Sequence, residues 1–134
     1  MNRSGYSDDV DPLQMGRWRA QVNNSIRSKR GQAFLAELAT AMDQMPDKNL
    51  VANELITNEG DCCAIGVVCK SRGIDVFDID AEDPEEVGWF VDIAHQMAAE
   101  IAYENDAWGE QETPEDRWRR MRKWVDSQIE KGKE

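Results

Sequence analysis

The sequence predicts an all-α fold, a compact helical bundle of about five helices in one domain. Three observations carry that expectation. Asp11-Pro12, Asp83-Pro84 and Thr113-Pro114 each place a capping side chain before a proline. Proline at the first helical position gives up an N–H that has no partner there, and the capping oxygen accepts one a few residues on. Apolar residues recur at spacings of three and four through four segments, and no clear pair of strands appears.

The first helix is expected from Pro12 to about Arg30, with Met15, Trp18, Val22 and Ile26 on one face and Gly31 as its interruption. A second runs to about Gln44 along Phe34, Leu35, Leu38, Met42 and Met45, and Pro46 ends it. Residues 50–58 fit either a short helix or an extended piece, and Asn58 to Gly60 reads as a turn. Cys62 to Cys69 is apolar throughout and reads as a buried helix rather than a strand. Asp61 serves as its expected N-cap and Gly73 as its left-handed stop. An acidic loop follows, anchored by Ile74, Val76, Phe77 and Ile79, with a short extended segment near 74–80 as the alternative. The next helix spans Pro84 to about Asn105, bending near Gly88, and buries Phe90, Ile93, Ala94, Met97 and Ile101. The last runs from Pro114 to about Lys131 with Trp118, Met121, Val125 and Ile129 inward. Gln14 and Glu86 are placed to close capping boxes. Residues 1–11 are expected to be poorly ordered, ahead of a single helical domain over 12–131.

No stretch approaches the ~20 apolar residues of a membrane span, and the polar N-terminus lacks the apolar core of a secretory signal. Three cysteines, two of them adjacent, suit reduced thiols better than a disulfide framework. The expected location is the cytoplasm.

The charge is uneven. The chain of 134 residues has a formal net charge of −11. Leu13 to Gly31 holds five bases and no acid, whereas Asp75 to Asp116 holds fifteen acids and no base. Arg117 to Glu134 is basic again. Either the basic helices neutralise the acidic one locally, or an acidic face awaits a basic partner. The candidate partner-binding residues are Asp75, Asp78, Asp80, Glu82, Glu104, Asp106, Glu110 and Glu112. The overall sign ranks nucleic acid low, because an acidic chain repels phosphate at long range. A nucleic-acid interface would draw on Arg17, Arg19, Arg27, Lys29, Arg30, Arg119, Arg120 and Lys123, and would need the two basic helices side by side. Trp118 and Trp124 interleave with those bases as in single-strand binders, although Trp118 lies on the apolar stripe.

Catalytic and metal chemistry find little support. Zinc needs about four convergent ligands. Cys62 and Cys69 share a helix face, Cys63 points elsewhere, and the lone His95 faces away from its apolar stripe, as an exposed surface residue would. A general base needs an oriented partner and a nucleophile, and His95 has neither in evident reach. The acids of 75–83 and of 104–112 lack the ordered spacing of a calcium loop. No phosphate loop or nucleophile elbow occurs. The expectation is a non-enzymatic chain with no catalytic residue, no metal and no cofactor.

Several strings nevertheless resemble a family of small uncharacterised helical proteins of bacteriophages and prophages. They are Arg30-Gly31-Gln32-Ala33-Phe34-Leu35, Ala41-Met42-Asp43 with Met45-Pro46, Cys63-Ala64-Ile65-Gly66 and Arg72-Gly73-Ile74-Asp75. Asp83-Pro84, Tyr103-Glu104-Asn105-Asp106 and Glu112-Thr113-Pro114-Glu115 with Arg117-Trp118 complete the set. The resemblance spans about Trp18 to Val125 and carries no known activity, so no site residue transfers. It implies an accessory product of a mobile element that acts by binding in the host cytoplasm. Such a protein would block a host defence, redirect a nucleic-acid-binding factor or serve virion assembly. The expected partner is a basic host or phage protein, with a homodimer as a further option and no role at a membrane.

Overall fold

The computed structural model describes residues 3–6 and 11–132. Among the described residues there are six α-helices: α1 (Pro12–Arg27), α2 (Lys29–Asp43), α3 (Ala64–Arg72), α4 (Pro84–Val91), α5 (His95–Asp106) and α6 (Pro114–Gly132). A single 3₁₀ turn, Gly109–Gln111, lies between the last two. The all-α class stands, but the expected count of about five becomes six. None of these helices is long and apolar enough to cross a membrane.

The three proline starts form as their side chains require. Asp11 accepts from Leu13 N–H at 3.0 Å, Asp83 from Glu85 N–H at 3.1 Å, and the Thr113 hydroxyl from Asp116 N–H at 3.1 Å. Glu86 does not close a capping box, because the N–H of Asp83 is already given to the Asp80 carbonyl at 3.0 Å.

The first break falls at Ser28 rather than at Gly31. Ser28 N–H closes α1 on the Asn24 carbonyl at 3.1 Å, and its hydroxyl opens α2 by accepting from Gly31 N–H at 3.0 Å. A serine offers the backbone an alternative bond, so it outcompetes the glycine as a stop. Gly31 serves close packing instead: a Cβ there would lie 2.0 Å from the Ser25 carbonyl oxygen.

The long helix expected over 84–105 is also two. Asp92 adopts a left-handed conformation (φ 63°) that ends α4, its N–H returning to the Gly88 carbonyl. Aspartate is one of the few non-glycine residues that tolerate this region. Ala94 then starts α5 with no side-chain cap.

Every residue from Cys62 to Cys69 is buried, which explains why this span lacks a polar face. Helix α3 packs against both α2 and α5 at the centre of the molecule. Burying each of Ile65, Val67 and Val68 contributes about 1.5–3 kcal/mol. Its N-cap is Cys63, not Asp61, and Gly73 (φ 72°) is its left-handed stop as expected.

The segment between α2 and α3 is irregular. Its ends pair through Val51 N–H to the Cys62 carbonyl and Cys63 N–H to the Leu55 carbonyl, with one antiparallel bridge at Ile56 and Cys62. The span near 74–80 consists of turns rather than an extended strand. Ile79 is buried there, but Phe77, expected as an anchor, is 88% exposed. Its N–H is bound by the Asp75 carboxylate at 2.9 Å in a tight turn, and Ile79 takes the inward position.

Of the N-terminal stretch expected to be poorly ordered, residues 1, 2 and 7–10 lie outside the described residues. Arg3 and Ser4 are buried, and Tyr6 packs edge-on against Trp18 at 5.9 Å. An aromatic contact and an ion pair hold this short piece to the bundle.

Candidate functional site

The fifteen acids of 75–116 divide into two populations. Those from Glu100 onward largely meet arginines. Glu100 is buried and accepts both terminal nitrogens of Arg19 at 2.7 and 2.9 Å, together with the Tyr6 hydroxyl at 2.9 Å. Asp106 accepts Nε and Nη2 of Arg3 at 2.8 and 2.7 Å, the Asn53 N–H at 3.0 Å and the Asn105 amide at 2.9 Å. Burial pushes the Asp106 carboxyl up, but the Arg3 hydrogen bonds and charge, helped by Asn105 and Asn53, reverse this. The net result lies below the usual carboxylate range. Glu112 takes Nε and Nη2 of Arg120, both at 2.8 Å. Glu104 lies 3.9 Å from Arg120.

Arg117 joins these pairs into one network. It is 3% exposed and donates to the carbonyls of Asn105 (3.0 Å), Leu50 (3.2 Å) and Gly109. Asn105, also buried, donates to the Val51 carbonyl at 2.9 Å and accepts from Ala64 N–H at 3.1 Å. This knot fastens the irregular span before α3 to α5 and α6. It gives a structural role to Asn105, Asp106, Glu112 and Arg117.

The acids from Asp75 to Glu86 are different. Asp75, Asp78, Asp80, Glu82, Asp83, Glu85 and Glu86 make no ion pair among the described residues. Asp75, Asp80 and Asp83 each accept a backbone N–H two residues on, which shapes the turns and leaves the charge facing water. Asp92 pairs with Arg30 at 3.3 Å, with both side chains mostly exposed. The same stretch carries Phe77 and Trp89, which are 88% and 78% exposed. Of the eight proposed partner-binding acids, Asp75, Asp78, Asp80 and Glu82 thus lie on this unpaired stretch. Glu110 is exposed elsewhere, and Glu104, Asp106 and Glu112 belong to the network.

The proposed nucleic-acid residues divide as well. Arg19, Arg30, Arg119 and Arg120 are held by Glu100, Asp92, Asp116 and Glu112. Arg17, Arg27, Lys29 and Lys123 make no ion pair among the described residues. Helices α1 and α6 do touch. Trp118 and Trp124 are half-buried and pack against the core.

The cysteines behave as small buried residues. Burial raises the Cys62 thiol and pushes Cys69 up to about 12, so both stay neutral. Cys63 Sγ accepts from Gly66 N–H at 3.4 Å and from Arg3 Nη1 at 3.3 Å. Cys62 borders a cavity of about 280 Å³ with Met45, Pro46, Val67 and Lys70. His95, expected on an open surface, is half-buried with its ring 5.8 Å from Trp18, because the break at Asp92 turns the start of α5 toward α1. Among the described residues no cluster of three or more His, Cys, Asp or Glu could hold a metal ion. No protein family, curated protein or solved structure matches this chain.

Proposed function

We propose that the chain is a protein-binding module that docks a basic partner on the surface formed by residues 75–92. One observation carries this reading: the two most exposed large apolar side chains, Phe77 and Trp89, occur where the acids lack internal partners. Unpaired carboxylates speed encounter with a basic surface and fix its orientation. An exposed tryptophan supplies the buried anchor on which binding energy concentrates. The resemblance to phage and prophage proteins adds the setting, in which the partner is a basic host or phage factor and binding, not catalysis, is the activity.

Affinity capture from host lysate tests this with three baits. They are the wild-type chain, F77A/W89A, and a chain with Asp75, Asp78, Asp80 and Glu82 all changed to lysine. All six positions changed in these variants are exposed, so the variants should fold, which far-ultraviolet circular dichroism checks. A basic protein retained by the wild type should be lost from both variants and released at about 0.5 M salt. Retention of the same proteins by all three baits would reject the placement.

A further inference from the structure

The geometry points to a receptor for a partner's arginine side chain in the cleft beside Trp89. The inference rests on the reading of residues 75–92 as a partner-binding surface and assigns its recognition chemistry. An open cleft of about 580 Å³ lies where α4 turns into α5, bordered by Arg30, Glu85, Trp89, Asp92 and His95. Trp89 is 78% exposed and meets Phe90 in a T-shaped pair at 5.2 Å and 84°. Glu85 precedes Trp89 by one helical turn, so the two share a face.

Indole is the best aromatic partner for a cation. A planar guanidinium can lie on a ring while its edge donates to a carboxylate, which an ammonium cannot do with the same geometry. The cleft already receives one guanidinium: Arg30 reaches Asp92 at 3.3 Å, with side chains 56% and 79% exposed. Such an exposed pair is weak and displaceable. Glu85 makes no ion pair among the described residues, so a second carboxylate stands ready for an incoming arginine.

Capped tetra-arginine and tetra-lysine peptides test this against ¹⁵N-labelled protein, followed by the backbone amide resonances around the cleft and, in the wild type, by the indole N–H resonances. The Trp89 resonance is assigned by its absence in W89F. The arginine peptide should shift it saturably and bind roughly fivefold tighter than the lysine peptide. W89A should bring the arginine peptide down to the lysine level. E85Q/D92N should lower its affinity by roughly tenfold, and asparagine at 92 keeps the left-handed cap. Equal binding of the two peptides with no effect of W89A, or no binding of either, would overturn the assignment. The four-lysine variant separates the two readings. If it weakens both peptides while W89A does nothing, the acidic surface stands and the arginine cleft falls. If it weakens neither and capture is also unchanged, the acidic surface itself falls.

Discussion

Replacing Arg117 with alanine should be among the most damaging single changes in this chain. The side chain is 3% exposed and supplies donors to three carbonyls, those of Leu50, Asn105 and Gly109. Each buried acceptor left without a donor costs about 1–3 kcal/mol. Asn105 O retains Arg120 at 3.3 Å and Glu112 retains its paired bonds from Arg120, so neither is stranded completely. The expected loss is therefore about 3–5 kcal/mol, near the cost of breaking a buried ion pair. Against a total of roughly 7–15 kcal/mol for a chain of this length, that is a large share. Urea unfolding followed by circular dichroism measures it directly. Arg119 is the control: its ion pair with Asp116 is exposed, so R119A should change stability by no more than about 0.5 kcal/mol. A loss under about 1 kcal/mol for R117A, or a similar loss for both variants, would refute the reasoning.

Two glycines should respond with opposite signs. At Gly66 a Cβ would sit 1.9 Å from the Leu55 carbonyl oxygen, which is backbone and cannot swing away, so G66A should cost about 3 kcal/mol. At Gly16, in α1 with nothing within 4 Å, G16A should stabilise by about 0.5–1 kcal/mol in the same urea assay. The acid limb of stability should depend on Asp106. Its folded carboxyl lies below the usual range, so its contribution is present above the unfolded value of about 3.9 and disappears as pH falls through the folded value. D106N should therefore be less stable than the wild type near pH 7, with the gap closing as pH falls below the unfolded value and through the lower folded one. A gap that stays constant with pH would assign the loss to geometry alone. Glu37 and Asp43, held low mainly by hydrogen bonds from Arg72 and Arg122, should give the D106N chain a residual acid limb.

The three proline-marked helix starts were legible because their physics is local. Asp11, Asp83 and Thr113 need only a neighbour two or three residues away, and Gly73 needs only its own φ. The breaks at Ser28 and Asp92 were harder, because each is a competition between a side chain and the helix that sequence spacing does not decide. The charge pattern misled in a specific way. Arg117 and Asp106 look like surface residues in a charged stretch, yet their partners lie as far away as Leu50 and Arg3. Only the packing of α3, α5 and α6 brings those groups together. The unpaired acids from Asp75 to Glu86 were in the expected list of partner-binding groups only in part. Glu85, Trp89 and Asp92 were missed, because an exposed aromatic on a short helix has no periodic signature.

The division between the two sets of acids governs how such a chain can change. Glu100, Asp106 and Glu112 are tied to arginines elsewhere in the sequence, so a replacement at one of them demands a matching replacement at its partner. Asp75, Asp78, Asp80 and Glu82 are exposed and make no ion pair among the described residues, and Trp89 is mostly exposed. Exchanges there leave the interior as it is. The frame and the recognition surface are thus separately mutable, and one helical scaffold can be re-addressed to a new partner by a few substitutions confined to a single short stretch.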